Sequence, residues 1–265
     1  MAGSSNDPRH EIPARSDYGH GCYRRTILVE AAAGEVRGEL ADDFHHFAVR
    51  VRHDDAAVCE IDGEPVRVPW TTCPGALTPL RRMEGVALEL PLLELLRHSP
   101  AREQCTHWHD LACLAIAHAA RAARGGPAAR RYDFAMPDRE GRATTCSLAR
   151  DEEPCARWHL EGMQIVEADD ASFAGLKIGT APFREHLARI TDPEALEAAW
   201  VLQRAFFIGL GRQHDFERMP TAEVFGAMVG GSCHTYSPER MASGERIRGT
   251  VRDFTDRPGD VLERS

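Results

Sequence analysis

The chain has 265 residues, of which 43% are hydrophobic and 28% are charged, an ordinary composition for a globular protein. This length fits one large domain or two small ones. The 41 acidic residues outnumber the 32 basic ones, which argues against non-specific nucleic-acid binding, because such binding needs a basic surface. No apolar run is long enough to span a bilayer, and the N-terminus has no apolar secretory signal. We therefore expect a cytoplasmic protein without a nucleic-acid or membrane partner.

The first half of the chain shows a strand pattern that changes to a helix pattern. Residues 1–20 are polar and predicted to be disordered. From Tyr23 to Trp70, alternating apolar and polar residues with Asp and Gly turns predict an antiparallel meander of three to four strands. A short helix ending at Pro100 follows, and alanines with apolar residues at helical spacing predict a long helix over residues 104–124.

The second half shows a similar mixture of strands and helices. Three further strands are predicted between residues 130 and 168, with "DREG" and "DEEP" as turns. An Asp-Pro start and acidic first turn predict a second long helix over residues 191–212. We expect an α+β protein with four parts: a disordered segment 1–20, a half 21–125 that carries the site, a second half 126–245 packed on the same site, and an extended tail 246–265.

Eight cysteines and thirteen histidines supply the candidate chemistry. A cytoplasmic protein keeps its thiols reduced, and no Cys-x-x-Cys pair is present, so a metal site would draw on distant segments. The stretch "CTHWHDL" holds Cys105, His107 and His109 at the predicted start of the long helix. If the helix includes Cys105, then Cys105 and His109 share a face and His107 points elsewhere. If the helix begins at His107, Cys105 and His107 can both reach one site. The alternative is a buried thiol beside ordinary polar residues of a helix start.

Three other places are candidates for a site. On a strand, Asp43 and His45 share one face and His46 the other. Cys73 lies in "PWTTCPGA", where the Thr and Pro predict a helix start that favours a thiolate or ligand. A glycine-rich loop, "GGSCHTYSP", carries the pair Cys233 and His234. Each place also has a purely structural explanation: strand residues that lie at the surface, a packed thiol at Cys73, and a loop that carries its cysteine incidentally.

Several segments of the chain resemble the landmarks of a proteobacterial family known only as a domain of unknown function. The segments are "DDFHHFAVRVRHD", "PWTTCPGALTPL", "CTHWHDL", "RRYDFAMPDREG", "EALEAAWVLQRAFFIGLGR" and "GSCHTYSPERM". The likeness covers residues 23–255, and Trp108 stands where the family usually has leucine. The family's motifs fall on His45 or His46, Cys73, Cys105 with His107, and Cys233. This resemblance implies a role in the breakdown of lignin-derived aromatics, as a formaldehyde-releasing lyase.

Residues 30–122 are also similar to the iron–sulfur cluster assembly scaffold fold. The likeness rests on three strands, a cysteine at a strand–helix junction, and an alanine-rich helix that opens with "REQC". The scaffold's Cys-Gly-Asp falls on Asp43-Phe44-His45, and its other cysteines fall on Cys73 and Cys105. Because Asp43 replaces the first cysteine, the resemblance implies a mixed nitrogen, oxygen and sulfur metal site rather than cluster assembly.

Together these observations predict an enzyme with a bound divalent metal, zinc first and iron as the alternative, acting on a small aromatic molecule. His45, Cys73 and Cys105 are the predicted metal ligands, with Asp43, His46 or His107 as the fourth. The predicted bases are His107, His109 and His46. The predicted substrate pocket consists of Phe44, Trp70, Trp108, Cys233 and His234. The alternatives are a non-catalytic metal- or cluster-handling scaffold and a metal-free Cys/His enzyme, and a homodimer is compatible with each.

Overall fold

One antiparallel sheet of eight strands runs through the computed structural model, which describes residues 12–264. The strands are β1 (Cys22–Ala32), β2 (Glu35–Asp42), β3 (His46–His53), β4 (Val58–Arg67), β5 (Ala129–Pro137), β6 (Ala143–Arg150), β7 (Glu153–Glu161) and β8 (Gln164–Ala168). Their order in the sheet is β4-β3-β2-β1-β5-β6-β7-β8, so β1 and β5 are the central pair. The predicted α+β class, with an antiparallel sheet and packed helices, is confirmed.

Six α-helices accompany the sheet over the same residues. They are α1 (Leu77–Leu80), α2 (Leu92–Leu95), α3 (Thr106–Ala123), α4 (Ala181–Arg189), α5 (Pro193–Gly209) and α6 (Glu223–Val229). The long helix α3 packs on β1, β2 and β3, whereas α5 packs on β5, β6 and β7. Close packing explains two glycines: a Cβ at Gly38 would lie 3.0 Å from the Leu111 side chain, and one at Gly209 would lie 2.5 Å from Met136. No helix in the part of the chain described here is long and apolar enough to cross a membrane.

Strand alternation decides which side chains face these helices. In β3, Phe47, Val49 and Val51 are buried in the core, whereas the residues between them belong to the other face of the sheet. In β1, the buried face includes Tyr23 and Arg25 as well as apolar residues. The core between sheet and helices is therefore interrupted by polar side chains at the start of β1.

The two halves of the chain repeat the same order of elements. Each begins with a four-stranded meander and continues through a short helical turn and a glycine with positive φ, at Gly85 (φ 84°) and Gly175 (φ 86°). A residue after each glycine pairs back with its own meander, Ala87 in the first half and Lys177 in the second. Each half then adds a shorter helix and a long helix. The sequence shows no internal repeat of solenoid period, and this longer repeat of elements was not predicted.

The predicted boundary between the halves lies in the loop between α3 and β5, but the sheet continues across it because β1 pairs with β5. Of the segment predicted to be disordered, residues 1–11 lie outside the described residues. Residues 12–20 make ordered contacts instead, including a backbone hydrogen bond of 3.0 Å from Arg15 to Gln213. Within residues 246–264 the tail has no strand or α-helix, and its Phe254 and Val261 are buried against Ala41.

Two elements of the second half differ from the prediction. The segment read as one strand from residue 155 to 168 is a hairpin of β7 and β8, because Gly162 adopts a positive φ of 63° and turns the chain. Helix α4 was not predicted, since its nine residues have a low content of apolar side chains and bury chiefly Phe183 and Leu187.

Candidate metal centre

The tight connection between β2 and β3 builds the centre of the site. Asp42 ends β2, and its Oδ1 accepts hydrogen bonds of 2.8 Å from the backbone N–H groups of both Phe44 and His45. The backbone N–H of Asp42 in turn donates to the His45 carbonyl at 2.9 Å. This local turn, in which an Asp side chain bonds to the backbone just after it, folds His45 back over the carboxylate. As a result, His45 Nδ1 lies 3.0 Å from Asp42 Oδ1.

The other carboxylate oxygen of Asp42 faces two side chains of β1. Arg25 is the cross-strand partner of Asp42 in the β1–β2 register, and Tyr23 lies on the same buried face of β1. Tyr23 Oη donates a hydrogen bond of 2.9 Å to Asp42 Oδ2. Arg25 donates to the same oxygen twice, from Nε at 3.1 Å and from Nη2 at 2.5 Å. The carboxylate is thus held from both sides, and Asp42 is completely buried.

Helix α3 brings the second imidazole. Cys105 is the extended N-cap residue, and His107 is the second residue of the helix. The rings of His45 and His107 lie 3.8 Å apart between centroids with a tilt of 30°, and Phe47 stacks beside His107 at 5.6 Å. His107 Nε2 lies 3.8 Å from Asp42 Oδ2 and is buried without a hydrogen-bond partner. An unpartnered buried ring nitrogen is costly unless something else binds it.

Burial and neighbouring charges define the protonation of this group. Burial, followed by the proximity of His45 and Arg25, lowers the pKa of His107 well below its usual value. Burial also lowers the pKa of His45, despite the nearby Asp42 carboxylate. Burial alone would raise the pKa of Asp42, but the adjacent His45 and Arg25 hold it well below its ordinary value. The site therefore presents an ionised carboxylate and two neutral imidazoles at neutral pH.

These three side chains can hold a metal ion. We call Asp42, His45 and His107 the Asp42 group. Each of the three offers one ligand atom, and these atoms lie within 4.8 Å of one another. Carboxylate oxygen and neutral imidazole nitrogen are common ligands of zinc and of non-haem iron. The unpartnered Nε2 of His107 fits such an ion, because a metal would satisfy it. His45 has 14% of its side chain exposed, which leaves the site a narrow contact with solvent.

The predicted cysteine ligands lie outside this group. Cys73 Sγ is 3.5 Å from Thr235 Oγ1, and the backbone N–H of His234 donates to the Gln104 carbonyl at 2.8 Å. The loop that carries Cys233 therefore bridges the segments of Cys73 and Cys105. Within residues 12–264, however, these sulfurs do not belong to a set of three ligand atoms as close as the Asp42 group.

The same thiols are poor candidates for a metal-free nucleophile. Burial raises the pKa of the Cys73 thiol to about 12 and that of Cys105 well above its usual value. Both are therefore protonated at neutral pH, whereas a nucleophilic cysteine needs a thiolate. The helix start did not lower the pKa of Cys105 enough to offset its burial.

Two polar residues predicted for the site have other partners. Asp43, predicted as a ligand, forms a buried ion pair of 2.5 Å with Arg212. His46, predicted as a base or ligand, bonds through Nε2 to Glu39 at 2.7 Å. Strand alternation places His46 on the opposite face of the sheet from Phe47 and hence from the Asp42 group.

His109, another predicted base, lies on a separate side of α3. Its Nε2 is 3.9 Å from the sulfur of Cys113, one turn further along the helix. Burial lowers the pKa of His109, and the charges that act on it are those of Asp110, Arg204 and His98. Of the three predicted bases, His107 alone belongs to the Asp42 group.

The aromatic residues predicted to form a pocket are core residues. Trp108 is fully buried, donates from Nε1 to the Ala48 carbonyl at 3.0 Å, and packs against Gly63. Trp70 is 2% exposed and donates from Nε1 to Tyr236 at 3.1 Å. Phe44 is also buried, and it packs 5.1 Å from the ring of Phe216. These large side chains stabilise the interior, which agrees with the usual role of buried aromatics.

The two remaining pocket candidates lie in the loop over Cys73. His234 is 8% exposed and lies so close to Gly75 that an added Cβ there would be 2.9 Å from His234 Nε2. Cys233 is partly buried. Neither residue belongs to the Asp42 group.

Sequence reasoning did not single out Asp42, Tyr23 or Arg25. A signal was present in "YRRTILV", since the alternation that buries Tyr23 and Ile27 also buries Arg25. An arginine on the buried face of a strand needs a buried carboxylate, and the acidic pair at the end of the next strand supplies one.

No family model matches the chain, and no curated protein matches it. The resemblances noted in the sequence therefore remain predictions.

Proposed function

We propose that this protein is a metal-dependent enzyme in which Asp42, His45 and His107 hold one divalent ion, most simply zinc. The observation that carries the proposal is the buried Nε2 of His107, which has no hydrogen-bond partner and lies 3.8 Å from Asp42 Oδ2. Two neutral imidazoles and one carboxylate are a ligand set of catalytic zinc sites, and the same set also binds iron. Zinc is placed first because its chemistry needs no redox partner.

Three protein ligands leave an open coordination position, which distinguishes a catalytic site from a closed structural one. When bound, the ion would act as a Lewis acid toward a substrate oxygen. The chain's own contribution is to bury the ligands, keep both imidazoles neutral and hold the carboxylate in one orientation. In this arrangement His107 is a ligand rather than the base predicted from the sequence.

The reaction class that we propose is carbon–carbon cleavage of the retro-aldol type, and it rests on the resemblance to the lignin-associated family. The hydroxyl proton of a hydroxymethyl group passes to a base as the bond to the neighbouring carbon breaks. Formaldehyde leaves, the electron pair remains on that carbon, and a proton returns to it. A carbonyl next to that carbon would stabilise the electron pair, which defines the substrate as a small aromatic with such a group.

Burial of the site argues against the alternative of a metal-delivery scaffold. Asp42 is fully buried and His107 is 7% exposed, whereas a delivery protein presents its ion to the ligand side chains of a partner protein. A small substrate would need only the narrow contact with solvent at His45. The two functions differ in metal exchange: an enzyme retains its ion against a chelator, and a scaffold releases it quickly.

Metal content tests the proposal directly. Purified wild-type protein should contain about one equivalent of zinc or iron by elemental analysis, and it should retain the ion after brief exposure to a chelator. His107→Ala should lose the ion, whereas His46→Ala, on the opposite face of the sheet, should keep it. A metal-free wild type, or a His107→Ala variant that retains the full equivalent, would refute the proposed site.

Formaldehyde release tests the reaction class separately. Aromatic compounds with a hydroxymethyl group beside an activated carbon should release formaldehyde with wild-type protein and not with Asp42→Ala. Tightly bound metal without release from any such compound would retain the metal site and reject the lyase assignment.

A further inference from the structure

We propose that Tyr23 and Arg25 are positioning residues for the metal ligands: they fix the Asp42 carboxylate, and the carboxylate fixes His45. This inference rests on the proposed metal site. It assigns to the start of β1 a role in metal binding rather than in core packing, and it predicts that metal affinity depends on two residues that do not touch the ion.

The hydrogen bonds define one orientation for the carboxylate. Tyr23 Oη and two nitrogens of Arg25 converge on Oδ2, at 2.9, 3.1 and 2.5 Å. Two backbone N–H groups and His45 Nδ1 meet Oδ1, at 2.8, 2.8 and 3.0 Å. Because donors occupy both oxygens from opposite directions, the carboxylate of Asp42 cannot rotate without losing several bonds at once.

The same contacts orient His45. Its backbone N–H and its Nδ1 both bond to Asp42 Oδ1, so the side chain and the backbone of His45 are tied to one atom. A ligating histidine in a metal site is typically oriented by a carboxylate that bonds to its ring. Tyr23 and Arg25 therefore position His45 indirectly, because they contact Asp42 and Asp42 contacts His45.

Stability alone does not account for a charged pair in this place. Arg25 is 3% exposed and Asp42 is fully buried, so forming the pair removes two charges from water. Buried ion pairs of this kind often add little to folding stability compared with apolar residues of the same size. A requirement for a fixed, charged carboxylate next to two imidazoles explains the pair.

The second half of the chain provides matched controls. At the start of β5, Tyr132 bonds to Glu197 and Arg130 donates to Glu194 at 2.9 Å, and both glutamates lie in the first half of α5. Tyr23 in β1 and Tyr132 in β5 are therefore two buried tyrosines on the central pair of strands, and each donates to a buried carboxylate. They differ in that only Tyr23 touches a proposed ligand.

The experiment compares Tyr23→Phe, Arg25→Lys and Arg25→Met with wild type and with Tyr132→Phe. Zinc affinity is measured by competition with a chromogenic chelator, and cobalt(II) absorption spectra report ligand geometry. Melting temperatures of the metal-free proteins report folding. We expect Tyr23→Phe and Arg25→Met to weaken zinc binding by about 10–100-fold, the range for loss of such outer contacts. Arg25→Lys should recover part of that loss, and Tyr132→Phe should bind zinc as wild type does.

The outcomes separate this inference from the proposed function. If Tyr23→Phe and both Arg25 variants bind zinc with the same affinity as wild type, the positioning role is overturned and the metal site stands. Equal weakening by Tyr23→Phe and Tyr132→Phe also overturns it, since the effect would then follow general stability. Absence of zinc binding in the wild type rejects the metal site and the positioning role together.

Discussion

The free energy of unfolding of the metal-free protein should fall in acid in a way that shows that the folded protein keeps His107 neutral. Burial, together with the nearby His45 and Arg25, lowers the pKa of His107 well below the 6.5 of a free imidazole. Between pH 6.5 and the pKa in the folded protein, the unfolded chain binds a proton at this ring and the folded protein does not. Unfolding therefore takes up a proton, and the free energy of unfolding falls as the pH is lowered through this range.

One proton per molecule defines the size of the effect. A single imidazole that is neutral when folded and protonated when unfolded contributes a slope of about 1.4 kcal/mol per pH unit. His107→Gln removes this titration from both states and keeps a neutral polar side chain. The variant should therefore lose less stability than wild type as the pH falls below 6.5, by up to about 1.4 kcal/mol for each unit.

Urea denaturation with chelator present, at several pH values from 7.5 to 5, measures this difference. The histidines distant from this site titrate alike in both proteins, so the difference between the two curves reports His107 together with its effect on the adjacent His45 and Asp42. Equal dependence of the unfolding free energy on urea in both proteins serves as the control, because it shows that the unfolded states match. Parallel pH dependence of the two proteins would contradict the inference that burial keeps the His107 ring neutral.

Three further outcomes follow from contacts elsewhere in the structure. Gly63→Ala places a Cβ 2.9 Å from the Trp108 indole, so the free energy of unfolding measured by chemical denaturation should fall by about 1–3 kcal/mol. An unchanged free energy of unfolding would contradict the tight packing. Arg212→Gln leaves the two buried carboxylates of Asp43 and Asp138 without their cation, so the free energy of unfolding should fall by about 3–5 kcal/mol. Arg264→Gln removes two ion pairs of a half-exposed arginine and should lower the free energy of unfolding by less than about 1 kcal/mol. Cys59 is the exposed cysteine and should react first with a thiol reagent, and early modification of a buried thiol in a peptide map would refute this order.

The fold was predictable where hydrophobic periodicity is strong. The meander at the start of the chain, the helix α3 and the helix α5 follow from alternation of period two or from alanine-rich helical spacing. The pairing of β1 with β5 was not predictable, because periodicity shows which face of a strand is buried but not its neighbour. For the same reason the repeat of two halves stayed hidden, since it lies in the order of elements rather than in similar residues.

The candidate site was partly predictable. His45 and His107 were named from the sequence, and both belong to the group that the structure assembles. Asp43 was grouped with His45 on the assumption that residues 43–45 continue a strand, whereas they form a turn in which alternation does not apply. Cys73 and Cys105 were expected to meet a histidine because of the two resemblances, and a resemblance between segments does not fix the direction of a side chain.

The single long-range strand pair has a consequence for how the chain folds. Among residues 12–264, β1 and β5 are the one pair of neighbouring strands that are not also consecutive in the chain. Pairs of consecutive strands close short loops and form quickly, whereas a pair separated by about a hundred residues closes a long loop and forms late. Every residue of the Asp42 group precedes β5, so during synthesis the first half can assemble its ligands before the second half leaves the ribosome.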